Sequence, residues 1–231
     1  MADVSGNGNY GQLQNGATLG DGVQGKALLL NGKGAYMEVK DSRDLHFGQD
    51  QNFAISFWFK LAGGDPGIVM MKAALDPMAA KRYSPGMTQM FRVALDKGGG
   101  EFGADFPVPS VRFECRTPIY IYGIGANSTM NLADGTWHHV AVVRDASEEV
   151  SMVYVDGEYA GSGSGWMCAD FDCPDPLLFG VSAFRADGMA GRIVPADYSF
   201  GGLIDEVTFY GGILTPHQAE KLYAGADPEG E

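Results

Sequence analysis

Apolar and polar positions alternate in short runs punctuated by glycine along most of the chain, and this period of two predicts β-strands. In Phe53–Lys60, Phe53, Ile55, Phe57 and Phe59 alternate with Ala54, Ser56, Trp58 and Lys60, so one face is wholly large and apolar and reads as a core strand. Trp58, on the other face, reads either as a packed ring or as a stacking platform for a sugar. The stretch Asp134–Ser164 reads as two strands and a turn. Trp137, His139, Ala141 and Val143 take one face of the first strand, and His138, Val140 and Val142 the other. The polar segment Arg144–Glu149 predicts a turn, Val150–Val155 a second strand, and Asp156-Gly157 the positive φ of a tight turn into a return strand from Glu158. Most of these positions are apolar on both faces, which places the strands between two layers.

Further strands are predicted over Ala27–Leu30, Ala35–Val39, Met87–Asp96, Ser110–Arg116, Leu177–Val181 and Gly201–Tyr210. Thr215–Ala224 carries a short helix signal, with Thr215 as N-cap and Pro216 at the first helical position. Asp3–Gly16 is rich in turn formers and reads as a surface arm with one short strand at most. Gly63–Gly86, rich in methionine and carrying Lys72, Lys81 and Arg82, reads as a long loop, as do Lys97–Pro109 and much of Gly161–Asp197. The pattern suits an all-β sandwich of two antiparallel sheets with a short C-terminal helix, one domain over residues 1–225, and a tail or linker at 226–231.

Composition narrows the partners. The formal net charge of −13 argues against nucleic acid and against an anionic membrane surface, both of which need a basic footprint. It leaves carboxylates for a divalent cation. No apolar run approaches the ~20 residues of a membrane span, so no membrane insertion is expected. No secretory signal precedes Asp3; the opening reads as a domain excised from a larger exported protein, an extracellular or cell-surface location following from that, with a whole cytosolic protein as the other reading. Cys168 and Cys173 read as a short-range disulfide or as two reduced thiols. Cys115 alternates with Val111 and Phe113 and is expected to be a buried free thiol.

TWHHVAVVRD followed by MVYVDGEYAG resembles the middle of a laminin G-like domain of the concanavalin A-like lectin/glucanase superfamily. GKALLLNGKGAYMEV with FAISFWFK resembles the opening strands of that family, and FGGLIDEVTFYGGILTPHQAEKLYAG its closing strand and final helix, all in the order of the family. The resemblance implies the jelly roll. It is compatible with lectins, carbohydrate-binding modules, adhesion domains, glycosidases and lyases, because fold alone does not set function. It also implies a structural calcium ion near Asp205, the Asp of the G-x-I-D-E-V strand, with Asp3 as a helper. Asx-turn chemistry accounts for Asp3, Asn7 and Asn9 without a metal, and a loop amide accounts for Asp205 equally well.

Chemistry concentrates on VRFECR. Val111, Phe113 and Cys115 alternate with Arg112, Glu114 and Arg116, so two guanidiniums and a carboxylate share one face. Tyr120 and Tyr122 follow with the same parity beyond Pro118. Planar rings stack on pyranose faces, and Arg and Glu bond hydroxyls or acidic sugar groups. A self-satisfied, solvated ion-pair face is the other reading. Arg-x-Glu-x-Arg also resembles a strand of jelly-roll alginate lyases, whose two further motifs are missing here. Retaining glycosidases need two carboxylates about 5–5.5 Å apart on one face; Asp205 and Glu206 are adjacent and are expected on opposite faces of a strand. His138 and His139 are likewise expected on opposite faces, which disfavours a shared metal. The expectation is a non-catalytic, lectin-like module that binds a glycan or polysaccharide. A protein-interaction or adhesion module is the alternative, and a lyase or hydrolase comes third.

Overall fold

The computed structural model describes residues 1–48, 50–61, 66–73, 90–96, 109–116, 124–128, 132–164, 174–182 and 199–229, with the backbone alone at 90, 96, 116 and 124–127. Tyr120, Tyr122, Trp166, Cys168 and Cys173 lie outside the described residues.

Two sheets face each other. The first runs β1 (Gly11–Gln14), β4 (Tyr36–Val39), β13 (Leu177–Phe179), β6 (Ile68–Ala73), β7 (Met90–Asp96), β8 (Ser110–Arg116) and β9 (Ile124–Asn127). The second runs β12 (Glu158–Ser164), β11 (Val150–Val155), β10 (His138–Asp145), β5 (Phe53–Lys60), β14 (Gly201–Tyr210), β3 (Lys26–Asn31) and β2 (Thr18–Asp21). Every ladder is antiparallel. The expected alternation builds the core: Phe53, Ile55, Phe57 and Phe59 of β5 meet Phe91 and Val93 of β7 and Val111, Phe113 and Cys115 of β8. Phe47 stacks on Phe53 at 4.3 Å between centroids, and Phe53 meets Phe113 edge-on at 6.1 Å. Cys115 is buried and outside any disulfide, as expected.

Three local expectations are corrected. Within Gly63–Gly86, Ile68–Ala73 is not loop but β6, an interior strand of the first sheet with all six residues buried. The period of two is invisible there because both faces are covered: Met70 enters the inter-sheet core, and Met71 and Ala73 a second cluster on the far side. Lys72 disguises the strand further. Its side chain is fully buried, bonded to Asp41 and to the Asp175 carbonyl. Secondly, β10 runs through Arg144 to Asp145 before turning. Arg144 is opposite Phe53 in register and lies fully buried, its guanidinium 5.9 Å from the centre of that ring. The long aliphatic stem lets an arginine end a core face that a shorter polar residue would break.

Thirdly, β14 contains a bulge. Asp205 pairs with Trp58 and Thr208 with Ser56, so one extra residue sits on β14. Glu206 takes φ 47°, the left-handed region. Ile204 and Val207 both turn to the core. Asp205 and Glu206 therefore leave the core together on the outer side, where simple alternation would have separated them.

The helix α1 (Pro216–Tyr223) is capped reciprocally: Thr215 Oγ1 accepts the Gln218 N–H, and the Gln218 side chain accepts the Thr215 N–H. Ala219 and Leu222, with Leu214 before the helix, pack on Ala54, Ala141, Val143 and Tyr154. Gly157, at φ 82°, lets the β11–β12 turn pass beneath α1: a Cβ there would stand 3.1 Å from the Glu220 Cα. Among the described residues no helix is long and apolar enough to cross a membrane.

Candidate functional site

Two of the side chains singled out on β8, Arg112 and Glu114, lie on the outer face of the first sheet, because Val111, Phe113 and Cys115 pack into the core. The same parity on β7 sends Arg92 and Ala94 outward, and the register sets Arg92 directly opposite Glu114 and Ala94 opposite Arg112. Glu114 is the hub. One carboxylate oxygen accepts from Nη2 of Arg112 at 2.9 Å and the other from Nη2 of Arg92. The side chains are well enclosed, with exposures of 4% for Glu114, 13% for Arg112 and 16% for Arg92. Charged hydrogen bonds at this burial hold the guanidiniums in fixed positions, which a solvated surface pair does not do.

The structure thus sets Arg112 and Glu114 on one face, bonded to each other as in the ion-pair reading, and adds Arg92. Of Arg116 it describes the backbone, opposite Met90. Arg92 was readable from parity, since Phe91, Val93 and Leu95 alternate with it. Its pairing with Glu114 was not readable, because that needs the β7–β8 register. Beside this array the outer face turns apolar: Tyr36, Ile68, Met71, Ala73, Ala94, Leu178 and Val181 form a buried cluster.

The outer face of the second sheet is filled by the chain itself. Trp58 is packed, stacked on Tyr223 of α1 with centroids 5.7 Å apart and 5.3 Å from the His139 ring. Asp205 is 2% exposed, and its Oδ2 accepts the Gln24 N–H at 3.1 Å. A side chain at Gly22 would collide with that carboxylate. Desolvation and, after it, the charge of Asp205 push the Glu206 carboxyl up. Asp3 stands in its own loop, accepting N–H bonds from Ser5 and Asn9 at 2.9 and 2.8 Å and the Ser5 hydroxyl. These bonds, led by the Ser5 hydroxyl, lower its pKa. Asp3 and Asp205 share no partner among the described residues. As a calcium site, Asp205 and Glu206 offer carboxylate oxygens, the kind of donor this hard cation takes, while residues 22–25 present the Gln24 N–H to Asp205. No third Asp, Glu, His or Cys joins a metal-sized group among the described residues, so further donors would be backbone carbonyls and water.

The adjacent histidines of β10 behave oppositely. His138 Nδ1 meets Asp156 Oδ2 at 2.8 Å, and its Nε2 meets Asp134 Oδ1 at 3.1 Å. A neutral imidazole has one N–H, so donating to both carboxylates takes the imidazolium. The Asp156 bond, outweighing burial, raises the His138 pKa. Asp134 is held down at about 2, chiefly by the Thr136 N–H and hydroxyl. His139, on the other face, is 2% exposed beneath Trp58 and Tyr223; desolvation pushes it down to about 4, and its Nδ1 has no hydrogen-bond partner.

The fold is shared with several solved domains. The binding domain of Paraclostridial Mosquitocidal Protein 1 superposes with a TM-score of 0.66 at 15% identity, covering 96% of this chain and 49% of that one, so the chain spans about half its length. Domain 4 of AbnA, an extracellular GH43 arabinanase from Geobacillus stearothermophilus solved with arabinotriose, gives 0.65 at 22% identity, covering 96% and 91%. The CBM40 of the Ruminococcus gnavus IT-sialidase, bound to α2,3 sialyllactose, gives 0.58 at 13% identity, covering 87% and 96%. No curated protein sequence matches the chain. The family model for Laminin_G_3 matches residues 31–220, nearly the whole sandwich, and the chain therefore belongs to this laminin G family of the concanavalin A-like lectin/glucanases superfamily.

Proposed function

We propose that the domain is a non-catalytic carbohydrate-binding module of an exported protein, with its glycan site on the β7–β8 outer face. The observation that carries the reading is the Glu114 hub, which fixes guanidiniums from two neighbouring strands on one face. Fixed, planar, multi-donor groups suit sugar hydroxyls and acidic sugar groups. Structural neighbours solved with arabinotriose and with sialyllactose support the same reading. Tyr120 and Tyr122 are assigned to the site as ring platforms, with Arg116 as a third cation. Glycan binding on an array is the test, with Arg112→Ala expected to lose at least tenfold in affinity. Binding to no glycan would shift the assignment to a protein-interaction module, and release of product from a bound polysaccharide would make it an enzyme.

Asp205 is proposed to hold a structural calcium ion. The expected result is a melting temperature that falls when wild type is treated with chelator, and an Asp205→Asn variant that melts alike with and without calcium. Equal melting of wild type in both conditions would remove the ion from the account.

A further inference from the structure

We infer that Arg92 is a ligand-contacting residue, and that the sugar bound by the β7–β8 face carries a carboxylate. The inference rests on the carbohydrate-binding reading and adds to it a residue and a ligand charge.

Local charge is the first argument. The chain has 16 basic and 29 acidic residues, yet on this face two cations, Arg92 and Arg112, stand against one carboxylate, Glu114. A molecule with an acidic surface elsewhere has concentrated cations at one place, and a cationic recess draws anions.

The second argument is the state of Arg92. Its Nη2 donates to Glu114, and the side chain keeps 16% of its surface exposed, so the guanidinium is held in one place without being wholly enclosed. A carboxylate is planar and matches two donors of a guanidinium at once, whereas a neutral hydroxyl offers a single acceptor and no charge. The third argument is positioning. Glu114 cannot recognise an anion itself; with an oxygen bonded to each arginine, it keeps both guanidiniums on the face and sets their separation. Glu114 is thus a positioning residue, and Arg92 and Arg112 are the contacts.

Titration calorimetry with oligogalacturonate and with sialyllactose, each beside its carboxyl-reduced counterpart, tests the inference. At least one carboxylated sugar is expected to bind about tenfold or more tighter than its reduced form. Arg92→Gln is expected to bind both members of that pair equally, and Arg92→Lys to keep part of the preference. Glu114 keeps Arg112 as its partner in Arg92→Gln, and a wild-type-like circular dichroism spectrum of that variant guards against misfolding. Equal binding of carboxylated and reduced sugars by wild type, or a preference unchanged in Arg92→Gln, overturns the inference while the carbohydrate-binding reading stands. Binding of neither kind removes both.

Discussion

On the outer face of the second sheet Asp205 receives the Gln24 amide, Trp58 lies against Tyr223, and His139 is buried neutral beneath them. On the outer face of the first sheet, Arg92 and Arg112 bond to Glu114 across and along the strands. Both faces arise from the same alternation over the same core, and both hold polar side chains out of water. They differ in what satisfies those groups. The second face is completed by the loop at residues 22–25 and by α1, so its aromatic ring supports the fold and has little surface left for a sugar. Among the described residues the first face pairs its charges with one another, Arg92 and Arg112 on Glu114, and so holds the guanidiniums in fixed places. The tryptophan that the sequence offered as a platform is instead part of the packing of the fold.

The comparison breaks most visibly at Glu114. Glu114→Ala removes the carboxylate between two enclosed guanidiniums and is expected to cost about 3–5 kcal/mol of folding stability in urea titrations. A loss below about 1 kcal/mol would mean that the array is solvated like an ordinary surface pair. On the second face, Tyr223→Ala uncovers Trp58 and is expected to cost about 1–2 kcal/mol, from lost ring contact and apolar cover. Tryptophan emission should shift to the red with it; unchanged emission would show that α1 is not what encloses the ring.

The histidine pair gives the smallest effect and the sharpest sign. The folded pKa of His138 lies above its unfolded value of about 6.5, so its contribution is complete below that pH and is lost as pH rises through the folded value. His139 titrates near 4 in the folded chain, so stability falls as pH drops from about 6.5 towards 4 and levels off below that. Urea midpoints from pH 4 to 9 should show His138→Gln flattening the alkaline side and His139→Gln the acid side. The same change on both sides from either variant would contradict the separate environments.

The strands, the β10–β11–β12 turns, the cap at Thr215 and the buried Cys115 were legible in the sequence because each depends on neighbours within a few residues. The misread positions depend on partners far along the chain. β6 shows no alternation because it is covered on both faces, and its Lys72 is neutralised by Asp41. Arg144 reads as a turn residue until Phe53 is placed beneath it. The shared side of Asp205 and Glu206 depends on a bulge that the neighbouring pairs with β5 reveal. At the candidate site, parity alone gave Arg112, Glu114 and Arg116, and only the register of β7 on β8 added Arg92.

The place of β14 in the second sheet bears on how the chain is made. It lies between β5 and β3, pairing Ile204 with Leu28 and with Phe59, although it is the last strand in the sequence. Pairings this distant in sequence slow folding, because a long loop must close before they form. During synthesis β3 and β5 emerge early and keep one long edge open each until residues 201–210 arrive. For that interval the nascent chain has two adhesive strand edges flanking an apolar core, the condition in which chains associate wrongly. Translation that stalls before residue 201 leaves a sheet divided at its centre, with no short route to completion.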